Sequence, residues 1–348
     1  MDPQDQHPAH PAPTYRLKIG DRDITPMVDA RLISVTLNEC RGNEADQLDL
    51  VLDDHDGALE IPPKGRELQL AIGWVGADLV DKGTFIVGEA EHSGAPDQIC
   101  IRARSADMHQ SLRTRVERSY HGVTVGEIVR QTAARHQLMA RIDPALGARQ
   151  IEHIDQTNES DLNFITRLAK LHDAVATIKR GRLLFLPIVG TITSTGESIP
   201  VIEITRADGD LHRYHTSDRD AYSGVRAYWH DPKRAKRRGV LVGKSGNAKR
   251  LKDTFANEAD ARAAAQAEWR RIQRGLATFN LTLALGQPML TPQTPVKVSG
   301  WKPEIDETEW LTIKVRHTMT PDGGFTTHAE MEVSKTEANE PSSIDEDD

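Results

Sequence analysis

The sequence predicts an α+β chain that is mainly β, with β-rich stretches at residues 15–105 and 191–335 on either side of a small α+β domain at 106–190. Three observations carry this. Apolar and polar residues alternate with a period of two through both outer stretches. Helix-start signals with helical spacing are confined to the middle and to one segment at 257–274. Turn pairs such as Gly20-Asp21, Asp56-Gly57 and Pro62-Pro63 punctuate the alternating runs.

Residues 1–13 carry four prolines (Pro3, Pro8, Pro11 and Pro13) and almost no apolar bulk. Residues 1–14 are therefore expected to form a flexible arm. In 15–105, Leu17 and Ile19 alternate with charged residues, and Leu48, Leu50 and Leu52 alternate with Asp49 and Asp53. Leu68, Leu70, Ile72 and Trp74 follow the same rule, as do Ile99 and Ile101. One face of each strand meets a core and the other meets solvent or a partner, which describes an antiparallel barrel or sandwich.

The middle segment opens on Thr124-Val-Gly-Glu127, a capping box that starts a helix burying Val125, Ile128, Val129 and Thr132. A second helix starts near Ser160, with Leu162, Ile165, Leu168 and Leu171 on one face. A strand pair follows at 174–178 and 183–186 around Arg180-Gly181. In the last stretch Asn257 caps an Ala-rich helix that Gly275 ends. Phe279, Leu281, Leu283 and Leu285 then alternate with polar residues or alanine. Leu311, Ile313 and Val315 alternate similarly, and a final strand carries Phe325, Ala329, Met331 and Val333. Residues 336–348 hold six acidic groups and no basic one, and are expected to be a disordered, solvated tail.

A chain of 348 residues allows two or three domains, and 38% hydrophobic with 28% charged residues suits a folded globular protein. Aromatics are only 5%, which argues against stacking platforms for single-stranded nucleic acid, and the net charge of -8 argues against binding duplexes with the whole surface. Cys40 and Cys100 lack a Cys-x-x-Cys partner and are expected to be reduced thiols. No apolar run approaches the roughly 20 residues that cross a bilayer, and the first residues lack the basic and apolar regions of a signal peptide. Synthesis in the cytoplasm without membrane anchoring is therefore expected.

Motifs for chemistry are weak. Gly243-Lys244-Ser245 resembles the end of a phosphate loop, but the upstream Gly239 stands one residue too close. His212, His215 and His230 match no metal-ligand spacing, and no Gly-x-Ser-x-Gly elbow occurs. No catalytic residue, cofactor or metal is assigned. One charged segment stands out. Residues 232–252 hold nine basic groups and no acidic one: Lys233, Arg234, Lys236, Arg237, Arg238, Lys244, Lys249, Arg250 and Lys252. It is either a solvated loop or a contact for an acidic partner. No aromatics interleave with its cations in sequence.

The most distinctive stretch is Gln156-Thr-Asn-Glu159-Ser160-Asp161-Leu162-Asn-Phe164-Ile165-Thr-Arg167-Leu168-Ala169. It resembles the Q-x-x-E-S-D-x-x-F-L-x-R-L-A signature of phage late control gene D proteins and the related VgrG proteins of type VI secretion. Ser160 and Asp161 would open the helix and Phe164, Ile165, Leu168 and Ala169 would bury its face, so the signature is a folding element. Asp173-Ala174 departs from the Gly-Ala often found in the family, a change expected to touch only the helix end. Lys252-Asp253-Thr-Phe255, Leu285-Gly286-Gln-Pro288 and the strands at 310–317 and 325–333 extend the resemblance to residues 15–335.

The resemblance implies two tube-protein-like antiparallel β-barrel domains, at 15–105 and 191–335, separated by the α+β domain. It implies a homotrimeric baseplate hub of a contractile phage tail or tailocin, whose six barrels meet a sixfold tail tube on one side and a trimeric spike on the other. A tail spike protein, a tail tube or tape measure protein and other baseplate proteins are the implied partners, and the virion tail baseplate is the implied place. Relatives of the VgrG kind fuse the hub to β-helical repeats; none follow here, so the spike is expected to be a separate protein. Two other functions stay open: a tail-associated peptidoglycan hydrolase, and a nucleic-acid-binding module using 232–252. Nucleic acid is not the expected partner.

Overall fold

The computed structural model describes residues 11–42, 44–105, 110–188, 199–216, 222–232, 236–334 and 342–344. The N-terminal stretch forms β1 (Pro13–Ile19), β2 (Arg22–Asp23), α1 (Thr25–Asp29), β3 (Leu32–Cys40), β4 (Gln47–Asp53), β5 (Glu67–Trp74), β6 (Val80–Ser93) and β7 (Gln98–Ser105). Pairing starts at Pro13, opposite Trp74, so the first strand begins inside the segment expected to be an arm. Leu17, Leu48, Leu50, Leu68, Leu70, Ile72 and Ile99 are all buried in one cluster, which places the alternating residues on a common inner face.

The middle forms β8 (Arg115–Thr124), α2 (Val125–Arg135), β9 (Met139–Ile142), α3 (Pro144–Gly147), β10 (Gln150–Ser160), α4 (Asp161–Leu171), β11 (Ala174–Lys179) and β12 (Arg182–Pro187). The capping box is present: Glu127 N donates to Thr124 Oγ1 at 3.1 Å, and Thr124 N donates to Glu127 Oε2 at 2.7 Å. Helices α2 and α4 share one core with the sheet β11-β12-β9, built from Val125, Ile128, Phe164, Leu168, Ile178 and Phe185.

The last stretch forms β13 (Ile202–Thr205), β14 (Gly209–Thr216), β15 (Gly224–Asp231), β16 (Lys236–Gly243), β17 (Ala248–Phe255), α5 (Glu258–Arg274), β18 (Ala277–Leu283), β19 (Pro295–Ser299), α6 (Pro303–Asp306), β20 (Trp310–Thr320), β21 (Gly324–Val333) and β22 (Ser342–Ile344). It does not build a single β unit. Strands β13, β14 and β18 to β21 surround Phe279, Leu281, Trp310 and Met331. Strands β15, β16 and β17 instead form a separate sheet, with Val225, Ala227, Val240 and Val242 packed against Ala261 and Ala265 of α5. The physical reason is the helix surface: its small alanines let the backbone lie close to an apolar strand face. The tail also differs from expectation, since Ser342–Ile344 pairs antiparallel with β16.

Both outer stretches join one 13-stranded sheet, in the order β14-β18-β21-β20-β3-β4-β7-β6-β5-β1-β2, with β13 and β19 paired beside β20. The joint is the antiparallel pairing of β20 with β3, from Lys314 opposite Cys40 to Met319 opposite Val35. Strands β20 and β21 serve two cores. Val315 and Ala329 belong to the C-terminal core, while Met319 and Phe325 are buried in the N-terminal one. Phe325 lies 5.2 Å from Trp74, centroid to centroid, and Trp74 Nε1 donates to Gly286 O at 3.0 Å.

An ionic chain ties the middle domain to this sheet. Arg274, buried at the end of α5, donates to both carboxylate oxygens of Asp173 at 2.5 and 3.2 Å. Its Nε is 3.3 Å from Glu332 Oε1, which accepts from Arg41 at 2.6 Å. Asp173 has φ +53°, a left-handed conformation that glycine adopts without strain. The departure from Gly-Ala therefore does more than alter a helix end: it supplies the carboxylate for a buried guanidinium.

Two outcomes follow. Phe325→Ala should cost about 3–5 kcal/mol, seen as a lower urea midpoint. Asp173→Gly gains about 1 kcal/mol of backbone relief but breaks a buried ion pair and leaves Arg274 with only the Glu332 it shares with Arg41, which costs about 3–5 kcal/mol. Urea denaturation should show a net loss of about 2–4 kcal/mol.

Candidate functional site

Each polar position of the signature makes a contact that explains it. Gln156 is fully buried, and its Nε2 donates to Asp161 Oδ1 at 2.8 Å and to Glu159 O at 3.0 Å. Ser160 caps α4, accepting from Asn163 N at 3.3 Å. Glu159 accepts two bonds from Arg167, whose guanidinium lies 5.2 Å above the Phe164 ring; that ring stacks on Tyr120 at 5.4 Å. Asp161 is the hub of the set. It accepts from Arg118 at 2.7 Å and from Arg135 at 3.3 Å, and His136 Nε2 lies 2.8 Å away. Burial pushes its pKa up, but hydrogen bonds from Gln156 and His136 and the Arg135 charge outweigh burial and hold it below the usual carboxylate range. These are the bonds of a lock between β8, β10, α2 and α4.

The deepest cluster of charges lies where the middle domain meets the joint of the sheet. Lys82 Nζ donates to Glu39 Oε2 at 2.7 Å and sits 3.2 Å from His317 Nε2. The other imidazole nitrogen of His317 is 2.9 Å from Thr327 Oγ1. All three charged or titratable side chains are buried. Burial alone would raise the Glu39 pKa; the Lys82 charge and the His317 hydrogen bond hold it down to about 2. Burial and the Lys82 charge push the His317 pKa down, which keeps the ring neutral. Beside this cluster lies a cleft of about 380 Å³, with Arg41, Asp46 and Lys179 on its polar side and Val175, Leu184 and Leu186 on its apolar side. Lys179 pairs with Asp46 across the domain boundary. Sequence reasoning missed the cluster because residues 39, 82 and 317 come from three separate strands with no local mark.

The basic segment does not form a single patch. Lys233 and Arg234 lie outside the described residues. Lys249 Nζ donates to Glu268 of α5 at 2.7 Å. Arg238 stands 6.0 Å from the Trp229 ring, while Arg237 and Arg250 stand 4.1 and 4.7 Å from the Tyr228 ring. Aromatics thus do interleave with the cations, because β15 runs between β16 and β17 and lays Tyr228 and Trp229 among them. Tyr228 is buried, so its face is already used. Lys236, Lys244, Arg250 and Lys252 remain exposed.

The other motifs resolve as ordinary structure. Gly243 ends β16 with φ +88°, and Lys244 N donates to Ser223 O at 2.7 Å, a strand-end turn. His212 packs 6.2 Å from Phe279 and 6.1 Å from Trp301. His215 and His230 are exposed on different strands. Among the described residues, no three His, Cys, Asp or Glu side chains converge as metal ligands. Cys40 and Cys100 are free, and burial pushes the Cys40 thiol up to about 11, well away from a reactive thiolate.

The fold is shared with bacterial and prophage tail proteins. A tail protein of Neisseria meningitidis superposes with a TM-score of 0.70 at 13% identity, over 92% of this chain and 96% of that one. A 43 kDa tail protein of a Shewanella oneidensis prophage gives 0.68 at 16% identity, over 93% and 99%. A component of the Escherichia coli type VI secretion system gives 0.53 at 15%, over 88% and 74%. The fold is therefore one that phage-type tail proteins and a type VI secretion component share.

The particular family follows from the sequence match. The family model of the phage tail baseplate hub (GPD) matches residues 44–323, and this chain belongs to that family. It is 42% identical to the probable baseplate hub protein of Escherichia phage 186 and 41% identical to that of Escherichia phage P2. Each match covers 92% of this chain and 93% of the relative.

Asp161→Asn tests the lock. The wild-type carboxylate has a lowered pKa in the folded state, so its stabilisation is present above the ordinary carboxylate value, about 3.9, and is lost as pH falls through the lower folded value. Thermal melts taken from pH 7 down to pH 2 should show a lower melting temperature for the variant near neutrality. The gap to wild type should narrow below about pH 4.

Proposed function

We propose that this protein is the structural hub of a contractile phage or tailocin baseplate, and that three copies form a ring adapting a sixfold tube to a threefold spike. The observation that carries the reading is the pairing of β3 with β20. It lays two β-rich units of one chain edge to edge in one sheet, as neighbouring subunits of a ring would lie. Each unit has its own core, the first from residues 15–105 with Met319 and Phe325, the second from 199–216 with 277–333. If both units curl as tube-like barrels, three chains present six of them to a hexameric tube, which is how one sequence can match two symmetries. Family membership supports the same reading.

The partners fitting this role are two further copies, a trimeric spike, a tube or tape measure protein and other baseplate components. The exposed cations Lys236, Lys244, Arg250 and Lys252 are separate contact points for these partners. The role needs no catalysis: the buried charges described above pair with one another and hold domains together.

Light scattering on the protein co-expressed with its spike should give a hub mass three times the 38.6 kDa chain. A monomer in the presence of spike would count against the ring. Peptidoglycan zymography should show no clearing, and a lytic band would replace the structural reading with that of a hydrolase. Duplex DNA should not shift at physiological salt. A salt-dependent shift, lost when Lys236, Lys244 and Arg250 are neutralised, would favour a nucleic-acid module instead.

A further inference from the structure

Strands β8 and β10 form a two-stranded sheet on which His121 lies directly opposite His153 and Ser119 directly opposite Asp155. The two imidazoles stack with centroids 4.4 Å apart and planes 25° apart. Their Nδ1 atoms are 3.0 Å apart. The other nitrogen of His153, Nε2, lies 3.0 Å from Asp155 Oδ2, and Asp155 Oδ1 accepts from Ser119 Oγ at 2.6 Å. A carboxylate accepts only, so Nε2 of His153 carries the proton. Its Nδ1 is left with a lone pair aimed toward His121.

We propose that His121 and His153 form a two-imidazole site for a divalent transition metal ion, with copper(II) as the best fit. Imidazole nitrogens sit about 2.05 Å from such ions. Two of them on one ion are about 2.9 Å apart at a right angle and about 3.3 Å apart at the tetrahedral angle. The spacing of 3.0 Å lies nearer the right angle, which tetragonal copper(II) prefers. Both rings are exposed; an ion entering here displaces to solvent the proton that His121 Nδ1 donates to His153 Nδ1, and water can fill the remaining positions. The Ser119–Asp155–His153 chain is the outer shell that fixes a ligating histidine's tautomer and raises its basicity. No neighbouring metal ligand is needed, and the site is independent of the hub reading. An ion there would staple β8 to β10 and stabilise the native state by mass action.

The test is copper(II) titration of the full-length, tag-free protein at pH 7.5, followed by calorimetry and electron paramagnetic resonance. The chain has 14 histidines, so stoichiometry alone does not decide. Wild type should show one tight site with two-nitrogen hyperfine structure and a rise in melting temperature on saturation. His121→Ala and His153→Ala should each weaken that site about 100-fold or more and abolish the thermal rise, with circular dichroism unchanged. Asp155→Asn should weaken it about 10-fold, and His212→Ala should leave it intact. Unaltered copper binding in His121→Ala or His153→Ala would overturn the site. So would a wild type whose two rings share only a proton and take up no tight copper. An unaffected Asp155→Asn would remove the orienting role.

Discussion

The pairing of β3 with β20 is the constraint on which the rest of the molecule depends. It fuses two β-rich stretches that lie at opposite ends of the sequence, and it makes β20 and β21 common property of two cores. The charges at this joint give it a register. Glu39 lies opposite Val315 and His317 opposite Leu37, so Glu39 and His317 meet diagonally with Lys82 between them. A slip of one residue would turn these side chains to opposite faces of the sheet. Each would then be buried without its partner, which costs several kcal/mol per ion. The apolar residues supply the stability of the joint, and the buried ions select one alignment of it.

What was legible in the sequence was local. Alternation places Leu48, Leu50 and Leu52 on one face without any knowledge of the partner strand. Thr124 and Glu127 lie within one turn of each other, and so do Ser160 and Asn163, so the helix starts could be found by inspection. Pairing over long separations could not. Arg316 and Asn38 are bonded across 278 positions, and nothing in either neighbourhood points to the other. The same blindness hid Tyr228 from the cations of β16 and β17, because interleaving occurs across strands and not along them. It also hid His121 from His153, which only the β8–β10 register brings together.

The split of the last stretch into two layers was illegible for a related reason. Val225, Ala227, Val240 and Val242 show the same periodicity as Phe279, Leu281 and Leu283, yet the first set packs on a helix and the second in the large sheet. Periodicity reports that a face is buried and not what buries it. The signature segment has the opposite character. Its letters are legible because the bonds of Gln156, Glu159, Ser160 and Asp161 all close within a few residues or on adjacent strands. Tail proteins at 13–16% identity share the fold, which suits an architecture set by pattern more than by particular side chains.

Sharing β20 and β21 between two cores also sets a timetable for the growing chain on the ribosome. Residues 15–105 emerge early, but Met319 and Phe325, which complete their core, come last. At about 5–20 residues per second, the early strands wait on the order of 10–40 s for these side chains. For that interval the β3 edge has no neighbour and can pair with another nascent copy. The same joint that aligns the finished molecule therefore makes its N-terminal third the part most dependent on protection during synthesis.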